Sequence, residues 1–423
     1  MTLSTKLALV LALAAATRAR SQEAAPIIPI HTVDELYANV QDPGNENATL
    51  LLDPMTFKLA HGALVLQAGM ALVGQPGATI DGTSLTAADI AVIRIGRDNR
   101  VEGLAVKGPH APAPPASRIA QPLALIDAAV DSTVAGGVNV EIRRCDLDGA
   151  AMGIRCRHTG AANAGLDSRA IIEGNTIANA YGAGGSAAIL VQNTSDASRW
   201  SVTLRDNDCS RSLRGLLVVH LSNRGAENTV LSMRNRYHDN NTGGVVMGGR
   251  DNNANGNLLP SEADATRLDS VDDRFENNSA TLSGTVGPES AGGDGGLLLW
   301  GALHTVATDL ASTDNQMRVQ LLGARFAGNV QVDGSTHIQT RRHITAVGGV
   351  GNKGISPGTG NQVQLLMRRT ANEDGIPDAF VVDDSSPDDP SGTNAVTLTG
   401  TDVAFDHANV DFVAPDDAFS EGR

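Results

Sequence analysis

One arrangement of apolar and polar positions recurs along the chain: a short apolar strand, a small or amide residue, one variable residue, then a closing apolar residue. The copies read VEGLAV (101–106), IRRCDL (142–147), IEGNTI (172–177), LRDNDC (204–209), MRNRY (233–237), VDDRF (271–275) and LGARF (322–326). Their closing residues, Val106, Leu147, Ile177, Cys209, Tyr237, Phe275 and Phe326, lie 41, 30, 32, 28, 38 and 51 residues apart. Self-similarity at this period, with insertions of varying length, predicts a solenoid. A second signature follows the closing residue, a glycine or alanine leading into aliphatics: MGIRC (152–156), AAILV (187–191), GLLVV (215–219), GGVVM (243–247) and GGLLLW (295–300). These runs are short, bounded by turn residues and rich in Leu and β-branched side chains, so they read as strands. Helical repeats would need an amphipathic stretch of ten or more residues per unit, and the sequence has none there.

The expectation is parallel strands stacked coil upon coil. Two residues before the closing position, Asn175, Asn207 and Asn235 then fall above one another, at about 4.8 Å per rung, and their amides can bond along the stack. The first four copies run five residues from opening apolar residue to anchor and the last three run four, which predicts a bulge or a shifted strand. Polar, Gly/Pro-rich segments at 108–121, 247–266 and 279–295 are expected to leave the coils as loops. Residues 361–369, 379–383 and 396–405 read as further strands, so 351–412 is taken as more solenoid or a C-terminal cap. Residues 22–48 are taken as an N-terminal lead-in or cap, and the acidic 413–423 as a solvated tail.

These motifs resemble the right-handed parallel β-helix proteins of the pectate-lyase-like superfamily, whose coils carry an Ile-x-x-Asn-x-Ile strand and turn followed by Gly-Ile-x-Val. The stretch 49–82 is similar to the opening coil of such proteins, through its Leu-x-Gly-x-Pro-Gly-Ala-x-Ile turn, and 93–108 to the next coil. The resemblance covers about 49–350. It implies an all-β fold, a single-stranded β-solenoid with long loop insertions. It leaves function open, because the superfamily holds lyases, hydrolases, esterases, epimerases, adhesins and noncatalytic shells.

Composition narrows the classes. Apolar residues make up 41% of 423, but aromatics only 3%, so the core must be thin layers of Ala, Val, Leu and Ile. The net charge of −15 argues against general binding to nucleic acid or an anionic membrane. Lys6 and the apolar run 7–16, followed by small-residue cleavage options, read as a secretory signal peptide over 1–21, too short to span a bilayer. That implies a secreted or periplasmic protein, and no later run is long enough for a spanning helix. The three cysteines, Cys145, Cys156 and Cys209, are an odd number. They read as buried small apolar residues, with one bond, Cys145 to Cys156, as the alternative.

Candidate chemistry is sparse. Of the motifs that the resemblance implies for polygalacturonase-type hydrolysis, only Asp272-Asp273 is present. Pectate-lyase-type elimination implies an arginine base with proline two residues on, and no Arg-x-Pro occurs. Arginines are plentiful in the central coils, including Arg143, Arg144, Arg155, Arg157, Arg205, Arg214, Arg234 and Arg236. Stacking would bring some near Asp146, Asp148, Asp206, Asp208, Asp239 and His220. The candidate catalytic set is Arg205, Asp206, Asp208, Arg214, His220 and Asp239, suited to an acidic-sugar groove of a polysaccharide lyase or glycoside hydrolase. The competing reading makes Glu102, Arg143, Glu173 and Arg205 a structural charge ladder, His220 a surface histidine and the protein a noncatalytic surface, adhesion or scaffold β-helix. The segment 370–378 is similar to calcium loops of thrombospondin type three repeats. Asn372, Asp374 and Asp378 are the candidate ligands, although Thr370 replaces the usual first Asp and an Asp-Gly turn is the alternative. Trp200, Trp300, Tyr181 and Tyr237 are scattered candidates for sugar stacking.

Overall fold

In the computed structural model each recurring unit folds as three short strands, and successive units stack into a right-handed parallel β-helix. The structure describes residues 25–401 except 87, 111–122, 130–135, 160, 183–184, 251–259, 280–294, 305–311, 333–338, 342, 349, 352–358, 374–380 and 384–393. The expected signal peptide and acidic tail lie outside the described residues, as do parts of the three expected insertions. One coil shows the plan. Asp167–Glu173 lies in sheet A, Thr176–Ala180 in sheet B and Ala187–Thr194 in sheet C, before Arg199–Arg205 returns to pair in parallel with Asp167–Glu173. Sheet A runs from Ile27–Ile30 to Ala395–Thr401, and sheet B from Thr56–Lys58 to Ala371–Asn372. The segment 49–82 holds five strands, one full coil and most of a second, where the sequence suggested a single opening coil.

All seven closing residues meet in register, Val106 on Leu147, Ile177, Cys209, Tyr237, Phe275 and Phe326 in turn. The expected bulge among them is absent. Leu204 instead pairs with Ser232 and then Ser270, while Met233 and Val271 take the outward place of Arg205. The interior exchanges a leucine for a serine in the coils anchored by Tyr237 and Phe275 and returns to leucine, Leu321, in the coil of Phe326. Ser232 Oγ and the Tyr237 hydroxyl are 3.0 Å apart, and both are buried. The rings stack at the rung spacing, Tyr237 on Phe275 at 5.2 Å and Phe275 on Phe326 at 4.9 Å. They also explain the glycine of the second signature. A Cβ on Gly243 would stand 2.4 Å from the Gly296 carbonyl oxygen and 2.8 Å from the Phe275 ring.

Asn175, Asn207 and Asn235 form the expected ladder. Asn175 Nδ2 donates to Asn207 Oδ1 and Asn207 Nδ2 to Asn235 Oδ1, both at 2.9 Å, while each also donates back to a main-chain carbonyl of the preceding coil. Asn235 passes the ladder on to Asp273. Two further ladders were not read from the sequence: Asn240–Asn278–Asn329 after sheet B, and Asn315–Asn361–Asn394 before sheet A. Each supplies partners for buried backbone N–H groups at a corner, where no sheet can. The corner after sheet A turns through a left-handed residue, occupied by Gly103, Arg144, Gly174, Asp206, Arg234, Asp272, Gly323 and Arg369 in successive coils.

The N-terminal lead-in holds a helix, Val33–Gln41, with Thr32 and Glu35 closing a capping box at its start. Its Leu36, Tyr37 and Val40 are buried and join the core cluster. Cys145, Cys156 and Cys209 are free and buried, so the Cys145–Cys156 bond is not formed. Burial pushes the Cys145 thiol up to about 11 and raises the other two as well. No described helix is long and apolar enough to cross a membrane.

Candidate functional site

The six residues expected to form a catalytic set do not converge. Arg205 ends a strand of sheet A and donates from Nη2 to Glu173 at 2.5 Å. Asp206 sits in the left-handed turn (φ 54°) and accepts from Arg234 Nε and Nη2, each at 2.8 Å, and these bonds hold its acid below the usual range. Glu102, Arg143, Glu173 and Arg205 are successive rungs of one outward column, the charge ladder of the competing reading. Arg214 opens a strand of sheet C and donates to the Ser186 carbonyl at 3.3 Å. His220 is not a surface residue. It points into the solenoid with no exposure, its Nε2 is 3.1 Å from the Ala265 carbonyl oxygen, and burial pulls its acid down to about 4.

Asp208 and Asp239 do meet, through a residue the sequence reading passed over. His238 Nε2 lies 2.7 Å from Asp208 and Nδ1 2.7 Å from Asp239, on the outer face of sheet B. Its bond to Asp208 raises the imidazole above its ordinary value, and the same bond lowers Asp208. Period-two alternation carried the signal: Tyr237 is an inward anchor, so His238 must face out.

The expected calcium loop is only partly described. Thr370, its first position, is buried and lies within 3.4 Å of the Leu321 carbonyl oxygen, and Asn372 pairs in sheet B with Phe326. Thr370 therefore belongs to the corner column. Asp374 and Asp378 lie outside the described residues, and no group of three or more metal-ligating side chains occurs among the described ones. Trp200 and Tyr237 are enclosed, Trp200 stacked on His158 at 4.8 Å, so neither offers a platform to a sugar.

The stronger constellation lies on the outer face of sheet C near its N-terminal end. Strand alternation builds it. Ile93 and Ile95 face in and Arg94 out; Ile126 and Ala128 face in and Asp127 out; Ile154 and Cys156 face in and Arg155 and Arg157 out. The register sets Arg94, Asp127 and Arg155 on consecutive rungs. Asp127 has no exposed surface and accepts from Arg155 Nε at 2.7 Å and from Arg157 Nε and Nη2 at 3.2 and 3.0 Å. Burial works to raise its acid, but the two guanidiniums outweigh it and hold the carboxyl below the usual range. Arg155 is almost as buried as Asp127, at 5% side-chain exposure, while Arg157 keeps 21%.

Beside this group opens a cavity of about 460 Å³, within the size range of small-molecule sites. Arg94 and Asp127 are in its wall, Arg97 and Glu46 carry further charge, and Val65, Ala129 and Val138 supply apolar surface. Gly96, Gly136 and Gly137 bring backbone to the same wall. Arg155 and Arg157 stood among the arginines noted from the sequence. Arg94 and Asp127 did not, although Ile-Arg-Ile and Ile-Asp-Ala mark both as outward.

No family model and no curated protein matches the chain. Among solved structures it is similar to the periplasmic alginate epimerase AlgG, at 12% identity over 90% of this chain and 83% of that one, with a TM-score of 0.35. It is similar to the A-module of the Azotobacter vinelandii mannuronan C-5 epimerase AlgE4, at 11% identity over 89% and 100%, TM-score 0.33. A third is DFA-IIIase from Arthrobacter chlorophenolicus A6 without its lid, at 12% identity over 88% and 87%, TM-score 0.39. The coil architecture of this chain, three long sheets of parallel strands, is that of a right-handed parallel β-helix.

Proposed function

We propose that this chain is a secreted or periplasmic β-helix that engages an acidic polysaccharide, holding a sugar carboxylate in the cavity beside Asp127. One observation carries the reading. Arg155 and Arg157 bring two positive charges to one carboxylate, and Arg94 stands on the neighbouring rung in the wall of the cavity beside it, in a chain whose net charge is −15. Guanidinium forks match carboxylates in charge and geometry. Asp127 fixes Arg155 and Arg157 in place beside the cavity. If the site is catalytic, elimination suits it better than hydrolysis. Cations beside a uronate carboxylate stabilise the enolate-like charge that proton abstraction creates. Hydrolysis calls for two available carboxylates, and Asp127 is committed to its arginines.

A noncatalytic scaffold is the second reading, favoured by the outward charges of sheet A, where Arg205 and Asp206 are spent on rung-to-rung pairs. One panel separates them: uronate-containing and neutral polysaccharides, with and without calcium, followed by titration calorimetry and by the absorbance of unsaturated products. The proposal expects binding to uronate polymers alone, weakened by salt and by Arg94→Gln. Equal binding to neutral glucans, or none to any uronate polymer, refutes it.

A further inference from the structure

The ladder before sheet A begins with an acid. Asn315 Nδ2 donates back to the Ser261 carbonyl at 3.3 Å and on to Asn361 Oδ1 at 2.9 Å. Asn361 repeats the pattern to the Ser312 carbonyl and Asn394 Oδ1, both at 3.0 Å. The rung ahead of Asn315 is Asp264. Its main-chain N–H donates to Asn315 Oδ1 at 3.1 Å, and its Oδ1 accepts from the Ala226 N–H at 2.8 Å, as a ladder asparagine would. Its Oδ2 stands where Asn315 and Asn361 carry a donor, and that oxygen is buried without a hydrogen-bond partner. By the ladder's pattern its neighbours there are two acceptors, the Asn223 carbonyl of the preceding coil and Asn315 Oδ1, with the Ser261 hydroxyl close by but donating to the Arg250 carbonyl at 3.1 Å. A carboxylate would face both with a negative charge. A carboxylic acid would donate one hydrogen bond and complete the ladder.

We propose that Asp264 is a proton-dependent rung: the coils on either side lock together when its carboxyl is protonated and loosen when it ionises. The surroundings agree in sign. Burial is the largest influence and lifts the acid to about 8; the Ala226 N–H and the Ser261 hydroxyl work the other way, and the nearby carboxylates Asp196 and Glu262 add to the rise. Glu262 is paired with Arg224 at 3.0 Å on the exposed side of the corner. His220, the titratable group of the adjoining interior, reaches Ser261 in two hydrogen bonds through Asn223. It is neutral above about pH 4, so it offers no counter-charge at the pH where Asp264 ionises. Because the folded-state value lies above the ordinary 3.8, this stabilisation is full below about pH 4 and is lost as pH rises through about 8. Between those limits linkage makes the unfolding constant rise roughly tenfold per pH unit from this group alone. A solenoid built this way is tightest in acid.

The test compares the wild-type chain with Asp264→Asn, in which Nδ2 takes the place of the unpartnered oxygen. The variant should melt higher than wild type at pH 8, with the gap closing towards pH 5. Hydrogen exchange of the wild-type chain gives a second readout that needs no variant. After correction for intrinsic rates, amides of 226–233, 265–271 and 316–322 should lose protection between pH 5 and 8, while those of 139–143 keep theirs. A variant equal to or less stable than wild type at pH 8, with protection in these coils independent of pH, overturns the proposal.

Discussion

Asp127→Asn keeps the shape of the side chain and removes the one negative charge beneath Arg155 and Arg157. Both donors then face a neutral amide, and Arg155, at 5% side-chain exposure, cannot turn to water without opening the sheet face. Breaking a buried pair by neutralising one partner costs about 3–5 kcal/mol. Arg157 keeps 21% exposure, so its share is screened and the lower half of that range is expected. Denaturant unfolding at pH 7 should therefore show a loss of about 3–4 kcal/mol at unchanged slope. The sign of the pH dependence follows from the depressed acid of Asp127. Its stabilisation is present above the ordinary carboxylate value of 3.8 and is lost as pH falls through the lower folded-state value, so wild type and variant should converge in acid. Adding Arg155→Met should restore part of the loss, because it removes the stranded cation. A loss under about 1 kcal/mol at pH 7, or one that persists undiminished at pH 3, would refute this account of the buried group.

Other outcomes follow from the stacked interior. Asn207→Ala strips partners from the buried Asn175 N–H and the Ile172 carbonyl, and denaturant unfolding should register a cost of about 2–5 kcal/mol. Gly243→Ala forces a methyl against the Gly296 carbonyl and the Phe275 ring, so its melting temperature should fall well below that of Gly225→Ala. Gly225 has nothing within 4 Å, and there only the left-handed backbone (φ 61°) objects. His238, bonded to two carboxylates, should titrate above its ordinary value of 6.5 by proton NMR. The clamp it forms is present below that value and is lost as pH rises through the higher folded-state value. His238→Gln should flatten this part of the stability profile.

The fold was legible because a stacked coil repeats its constraints. Each closing residue must be apolar and each amide must meet the next, so Ile177, Asn207 and Phe275 declare their rung without any knowledge of distant contacts. The corners were less legible. Arg144 and Asp206 looked like parts of a cluster of opposite charges, and nothing local marks them as left-handed turn residues. Serine at 232 and 270 broke the apolar pattern, and each serves a polar group of its own coil, Ser232 the Tyr237 hydroxyl and Ser270 the Asp273 carboxyl. The site was hardest to read. Arg94, Asp127 and Arg155 lie 33 and 28 residues apart, at intervals set by insertions, so their meeting depends on loop lengths that carry no periodic signal. His220 misled for the opposite reason. It ends an aliphatic run like a residue emerging into solvent, but the strand's alternation turns it inward.

The most direct measurement is a crystal structure with a short uronate oligosaccharide bound. The account predicts a sugar carboxylate in the cavity within hydrogen-bond distance of Arg94, and Arg155 and Arg157 still on Asp127. Oligosaccharide ordered on sheet A or around His238, with that cavity holding only water, would contradict it.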